Sequence, residues 1–463
     1  MTDTENRKVF IFGLDCATPQ LVFDAYLPEL PNFRRLMEQG MYGEMKSTIP
    51  PITTPAWMCM MSGKSPGTLG IYGFRNRKDH MSDKLFFASS KSVKEPLVWD
   101  ILGGAGRRTV MVGVPQTYPP KPVNGLLVSS FLAPGKDSNY TYPADLKREI
   151  DEVAPGYMLD VEGFRTDDKA RLLRQIHEMT DERHRLVRHF LKNKPWDFFM
   201  MVEMGVDRIH HGFWRFCIPD HPEYVPGNEF DNAMLDYYKK LDANLGEYLD
   251  IVGDDTTVMV VSDHGAKTMF GGVCINEWLI REGYLKVAGK PDGVVRPDRC
   301  EFDWSGTRAW GEGGYYGRLF INVEGREPNG IVPQPEYDGL RNELIEKLTA
   351  ITDEKGRNIG TRVFRPEDVY PEVRNVAPDL IVYFGDLAWR SVGSIGLDRV
   401  ITYENDTGPD DANHAQHGIF IMRDARAGAR GRVEGTDILD VAPTILKVMG
   451  LDVPGDMQGG PVF

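Results

Sequence analysis

Four short stretches of the chain carry Asp, Thr and His where a two-metal phosphoryl-transfer site would need them, and a late His element completes the set. Asp263 and His264, in Ser262-Asp263-His264-Gly265, offer a carboxylate oxygen and an imidazole nitrogen side by side, both good ligands for zinc or manganese. Gly265 permits a tight turn and a close backbone approach. Asp207 and His211 stand four residues apart, so on a helix they share a face and can grip one ion, while His210 points elsewhere, to solvent or a cap. Asp15 ends the stretch Gly13-Leu14-Asp15 and reads as a ligand or as a turn acid before Thr18-Pro19. Thr53 is the candidate nucleophile. It lies in a rigid Pro50 to Trp57 turn before an apolar helix-like stretch, where backbone N–H groups suit an anion and a metal ion would lower the hydroxyl pKa. The competing role for Thr53 or Thr54 is an ordinary N-cap. His414 and His417 flank Ala415-Gln416, and either can supply a last ligand; Glu203 is a nearby alternative of lesser role.

Groups this far apart meet only if the fold gathers strand ends. Val9 to Leu14, Thr109 to Val114, Leu126 to Val128, Asp197 to Val202 and Thr257 to Val261 are continuous apolar runs, the pattern of parallel strands covered on both faces. Helical periodicity fills the intervals at Asn32 to Gln39, Asp167 to Lys194, Asn232 to Leu249 and Glu336 to Thr349, and a capped helix is expected within Thr436 to Leu446. Strand–helix alternation predicts an α/β fold. Asp15, Asp207 and Asp263 then fall at or just beyond the carboxyl ends of strands, where ligands of such sheets gather. Two regions break the alternation: residues 118–163, rich in Pro, Gly, Tyr and Asp, are expected to form a cap-like insertion, and residues 291–397 a smaller mixed α+β subdomain. Residues 1–117, 164–290 and 398–463 remain as the metal-binding catalytic core.

The bulk numbers fit. A chain of 463 residues with 41% apolar content accommodates one large α/β domain with insertions, or two to three smaller domains. The formal charge of −14 argues against a nucleic-acid polymer as partner, but not against a small anionic substrate held through metal ions. The 5 cysteines lack C-x-x-C spacing, so neither a disulfide framework nor a Cys-based zinc site is suggested; most are expected to be reduced and buried, with Cys16 beside Asp15 lining the site. The polar residues 1–8 lead straight into a strand, and no apolar run approaches about 18 residues, so a soluble cytoplasmic protein with no membrane contact is expected.

Together the motifs resemble the alkaline phosphatase superfamily, and within it the type I phosphodiesterase/nucleotide pyrophosphatase branch. The opening strand ending in Asp15, the Thr53-x-Pro55 element with Ser62-Gly63 further on, Asp207-x-x-x-His211, Ser262-Asp263-His264-Gly265 and His414-x-x-x-Gly418 stand in the family's order. The resemblance implies a three-layer sandwich around a mostly parallel sheet. It also implies two divalent ions, zinc or manganese: one held by Asp207, His211 and His414, the other by Asp15, Asp263, His264 and Thr53. The spacing of the late element favours His414 over His417. The implied activity is hydrolysis of a phosphodiester or nucleotide-like small molecule through a phospho-threonine on Thr53. Phosphomonoesterase, phosphonate hydrolase, phosphotransferase and a metal-stabilised binding pseudoenzyme are the alternatives. The sequence departs from nucleotide-cleaving members at Leu69 and Phe74, leaving Asn76 as the nearest amide for a phosphoryl oxygen. Trp57, with Tyr72, Phe74, Phe213 and Trp214, is a candidate wall for a second ester substituent.

Overall fold

The computed structural model describes residues 7–82, 84–289 and 291–463; most of the expected polar lead-in lies outside them. The apolar runs form the centre of a ten-stranded sheet. Val9–Leu14 is paired in parallel with Phe198–Glu203 on one side and Thr257–Val261 on the other. Thr109–Val112 and then Gly125–Val128 extend the parallel series beyond Phe198–Glu203. On the opposite flank His417–Arg423 runs antiparallel to Thr257–Val261 and carries Met41–Lys46 outside it. The register sets Leu14 against Glu203 and Gly13 against Val261, so three strands deliver their carboxyl ends at one level.

Successive strand side chains point to opposite faces. Phe10, Phe12 and Leu14 enter one core, with Leu186 of helix Lys169–Asn193 and Leu241 of helix Ala233–Val252. Val9 and Ile11 enter the other, with Met61 of helix Thr53–Ser62, Leu102 of Val98–Gly104 and Ile445 of Val441–Val448. Helices on both faces make the three layers, and the sheet is mostly parallel, as expected. The helix expected at residues 32–39 is Pro31–Gln39, and that at 336–349 is Tyr337–Thr349.

Two expected boundaries are corrected. Residues 118–163 do not form a cap: Gly125–Val128 and Thr141–Tyr142 are strands at the edge of the main sheet. Tyr140, Ile150 and Tyr157 are buried in the main core, because an edge strand must cover its own apolar face. The smaller unit is wider than residues 291–397. Its core runs from Val273 to Ile401, since Gly271–Cys274 pairs with Trp389–Val392 and Ile401–Thr402. Its second sheet is antiparallel, in the order Ala309–Glu312, Gly317–Ile321, Leu380–Tyr383, Arg362–Phe364.

Glu203, at the end of its strand, is a structural group and faces away from the candidate ligands. Its carboxylate lies 3.2 Å from Arg183 Nη1 and 3.3 Å from His184 Nε2, and it accepts from the Gly205 N–H at 2.8 Å, all in the buried core. Burial raises its pKa, but Arg183 and His184 outweigh it and bring the group down to about 2. A folded value below the ordinary 4.5 means that this stabilisation is present above pH 4.5 and is lost as the pH falls toward 2. Replacing Glu203 by Gln leaves Arg183 without its counter-charge, with an expected cost of about 3–5 kcal/mol. Melting temperatures measured between pH 6 and 2 should fall less steeply for Glu203→Gln than for the native chain; parallel curves would contradict the assignment.

Candidate active site

Each candidate ligand is delivered by a strand end. Asp15 follows Val9–Leu14, and Asp263 with His264 follows Thr257–Val261. Asp207 and His211 lie one turn apart in helix Gly205–Cys217, which begins directly after Phe198–Glu203. Thr53 is the first residue of Thr53–Ser62; Ile52 holds the N-cap position, so neither Thr53 nor Thr54 is the cap. His414 arrives on Ala412–Ala415, which runs antiparallel to Gly265–Thr268 with His414 opposite Ala266. That approach needs a glycine, because a Cβ on Gly265 would stand 2.2 Å from the His417 carbonyl oxygen. His414 is buried, whereas His417, at the start of His417–Arg423, is exposed. Asp15, Thr53, Asp207, His211, Asp263, His264 and His414 are therefore brought together, every one of them buried.

The distances are those of a polar cluster. Thr53 Oγ1 stands 3.2 Å from His264 Nε2 and 3.5 Å from Asp15 Oδ1. His264 Nε2 is 3.2 Å from Asp263 Oδ2 and 3.7 Å from Asp15 Oδ1. Asp207 Oδ1 lies 3.3 Å from His211 Nε2 and 3.9 Å from His414 Nε2. The donor atoms of Asp15, Asp263 and His264 all fall within 4.8 Å of one another, as do those of Asp207, His264 and His414. The rings of His264 and His414 stack at 3.8 Å.

All three imidazoles are oriented in the same way. Their Nδ1–H groups donate outward: His211 to Asp410 Oδ1 at 2.7 Å, His414 to the Pro51 carbonyl at 2.7 Å, His264 to the Gly265 carbonyl at 3.1 Å. Each Nε2 lone pair is thereby turned inward. His211 Nε2, His414 Nε2 and Asp263 Oδ2 are buried with no hydrogen-bond partner among the described residues. Buried polar atoms are normally satisfied, and divalent cations satisfy this set of carboxylates and imidazoles.

The electrostatics point the same way. Burial and the Asp207 charge push Asp15 well above the carboxylate range; burial and Asp15 do the same to Asp263. Burial also raises Asp207, but His211 and Arg208 outweigh it and hold the group well below. Burial depresses His264 to about 4, and burial with His264 depresses His414 further. Burial lowers His211 too, yet Asp410 and Asp207 lift it to about 9, so a proton and a cation compete for its Nε2.

Three expectations are revised. Trp57 is fully buried, and its indole N–H donates to Asp15 Oδ2 at 2.7 Å; it orients a carboxylate and does not line a substrate wall. Gly13 makes room for it, since a Cβ there would meet the Trp57 ring at 2.7 Å. Asn76 spends its amide on its own turn, accepting from the Tyr72 N–H and donating to the Gly73 carbonyl, both at 2.8 Å. Tyr72, Phe213 and Trp214 are core residues, and His210 is turned away into the core, not to solvent, beside Tyr238 at 3.2 Å. Three residues escaped the sequence reading. Asp410 orients His211, Tyr315 stacks on His414 at 4.2 Å with its hydroxyl 3.1 Å from Asp410 Oδ2, and Arg165 binds that same oxygen at 2.9 Å. The only signal was the Asp410-Asp411 pair four residues before His414, whose partner His211 is 199 residues away.

A surface cavity of about 460 Å³, lined by Lys46, His417, Arg432 and Asp437 among others, opens at the sheet edge and touches none of these ligand-type residues.

Residues 9–419 match the family described as type I phosphodiesterase / nucleotide pyrophosphatase. Human ectonucleotide pyrophosphatase/phosphodiesterase 5 superposes with a TM-score of 0.55 at 13% identity, covering 98% of this chain and 97% of that one. An inactive form of the murine protein in complex with AMP gives 0.53 at 14% identity, covering 97% and 96%. At these identities the likeness is one of fold. GPI ethanolamine phosphate transferase 3 from Schizosaccharomyces pombe is 27% identical over 126 residues, 25% of this chain and 12% of that protein.

Asp410 fixes the direction of His211, so Asp410→Asn is expected to weaken divalent-metal binding by about 10–100-fold. Competition titration with a chelator measures this; unchanged affinity would remove Asp410 from the site.

Proposed function

The chain belongs to the type I phosphodiesterase / nucleotide pyrophosphatase family, hydrolases of phosphoric ester bonds, and we propose that it cleaves a phosphodiester or nucleotide-like small molecule through a covalent phosphate on Thr53. The observation that carries this reading is the convergence of three imidazole Nε2 atoms and three buried carboxylates beside the Thr53 hydroxyl. Asp207, His211 and His414 would hold one divalent ion; Asp15, Asp263 and His264 would hold the other, next to Thr53. Zinc or manganese at these positions would polarise the phosphoryl oxygens and lower the pKa of the hydroxyl.

The residues of the chain do the rest. Thr53 Oγ1 releases its proton to solvent and attacks phosphorus, an Oγ–P bond forms, and the P–O bond to the leaving alcohol breaks, the alcohol oxygen taking a proton from solvent. Water then attacks the same phosphorus, the Oγ–P bond breaks, and Thr53 recovers its proton. N–H groups in the first turn of Thr53–Ser62 face the phosphoryl oxygens. Trp57, Asp410 and the carbonyls of Pro51 and Gly265 hold Asp15 and the three imidazoles in place.

Two observations favour a diester. The guanidiniums bordering the site are already engaged, Arg208 with Asp160 at 2.7 Å and with Asp207, and Arg165 with Asp410 at 2.9 Å, whereas a monoester brings one more anionic oxygen to neutralise. Beside them runs a half-buried strip in which Arg208 lies 4.4 Å over Phe164 and 5.4 Å over Phe131, and Phe131 meets Phe74 at 6.1 Å. Flat apolar faces edged by guanidinium suit an aromatic second substituent such as a nucleoside. Transfer of the phosphoryl group to an alcohol in place of water is the second reading, favoured by the stretch similar to a phosphate transferase. Among the described residues no helix is long and apolar enough to cross a membrane, and the five free cysteines support action in the reducing cytoplasm.

Thr53→Ala is expected to lower turnover of an aryl phosphodiester by at least about 1,000-fold while metal content measured by elemental analysis stays unchanged. Near-native turnover by that variant would refute the covalent route. Chelation of the native chain should abolish activity and added zinc or manganese restore it, and products formed with and without added glycerol separate hydrolysis from transfer.

A further inference from the structure

Cys16 follows Asp15 at the end of the central strand and plays no part in the chemistry described above. Its backbone takes a φ of 69°, in the left-handed region, and its N–H donates to Asp263 Oδ1 at 3.2 Å. Its Sγ is fully buried and forms, with the donor atoms of Asp207 and His211, a group within 4.8 Å of one another. His211 Nε2 in that group is itself buried and unpartnered. Among the described residues the thiol donates one long hydrogen bond, to the Gly265 carbonyl at 3.5 Å.

We propose that Cys16 is a sulfur ligand of the ion that Asp207, His211 and His414 would hold, a fourth protein ligand beside which zinc takes a phosphoryl oxygen as a fifth; the inference rests on the two-metal reading above. Zinc–sulfur bonds of about 2.3 Å and zinc–nitrogen bonds of about 2.0 Å place the two donors of a tetrahedral ion about 3.5 Å apart, so the three groups close on an ion by moving an ångström or so. Coordination exchanges the S–H bond for a sulfur–metal bond and releases one proton to solvent. The chemical consequence is selectivity. A thiolate beside imidazole and carboxylate favours zinc at this position over manganese or magnesium, which an all-oxygen and nitrogen set discriminates less. The other role open to a buried cysteine, a small apolar filler, requires no metal contact and gives a different spectrum.

The test is cobalt loading of the full chain after chelator treatment. The native protein should take up cobalt and show both the visible d–d absorption of bound cobalt and a sulfur-to-cobalt charge-transfer band in the near ultraviolet. Cys16→Ala should keep the d–d absorption and the cobalt content, lose the charge-transfer band, and lose at least about 10-fold of its preference for zinc over manganese in competition. Cys16→Gly, which suits the positive φ, gives the same readout if the alanine variant fails to fold. Cobalt d–d absorption without a charge-transfer band in the native chain, or a band that persists in the variants, overturns the role of Cys16 and leaves the proposed function standing. Failure of the native chain to bind cobalt, zinc or manganese at all overturns both.

Discussion

Three carboxylates and three imidazoles are packed at one end of a parallel sheet with almost no contact with solvent. Asp15, Asp207 and Asp263 cannot all stay charged there without positive charge close by, because burial of a lone carboxylate costs several kcal/mol. The pattern of their perturbation expresses this: Asp15 and Asp263 resist ionisation through burial and neighbouring carboxylates, while Asp207 is held ionised by His211 and Arg208. Divalent cations beside the inward Nε2 atoms would resolve the conflict. The rest of the structure is arranged around that requirement.

The arrangement depends on a layer of residues that never reach the reacting atoms. Asp410 and the carbonyls of Pro51 and Gly265 decide which way each imidazole faces. Trp57 does the same for Asp15, in space that Gly13 leaves free. These supports come from different layers: Trp57 from a helix on one face of the sheet, Asp410 from the segment leaving the smaller unit. Tyr315, from the smaller unit, stacks on both His211 and His414, and the Asn413 side chain donates to its carbonyl at 3.0 Å. Tyr315 is one of the contacts by which the smaller unit meets the site; Tyr383, whose hydroxyl lies 3.4 Å from Gln416 Oε1, is another.

The rim proposed to meet the substrate is built from another set. Arg165, Phe164 and Asp160 follow the edge strands that residues 118–163 add to the sheet, and they meet Arg208 of the ligand-bearing helix. Guanidiniums engaged by acids, with aromatic faces alongside, shape a rim without adding free positive charge. The fold is shared at 13–14% identity with the ectonucleotide pyrophosphatase/phosphodiesterases over nearly the whole chain. Rim residues of this kind are where one fold accommodates different second substituents.

The sequence by itself determined the α/β class, the buried strands, the long helices and the ligand-type residues. Each of these is local: a continuous apolar run before Asp15 or Asp263, a four-residue spacing from Asp207 to His211, a periodicity over Lys169–Asn193. Tertiary structure alone decided which groups face each other. The late-element spacing already favoured His414 over His417, but only the pairing of Ala412–Ala415 with Gly265–Thr268 sets its ring beside Asp207 and His264. The duty of Trp57 toward Asp15, the bond from His211 to Asp410 and the enclosure of Asn76 in its own turn are contacts whose partners a spacing cannot name. Residues 118–163 read as a cap for the same reason: two- and four-residue edge strands among Pro and Gly carry too little pattern, and only pairing with the sheet reveals them. Local composition fixes what an element is; long-range packing, which sums contacts over hundreds of residues of separation, fixes which way each side chain faces.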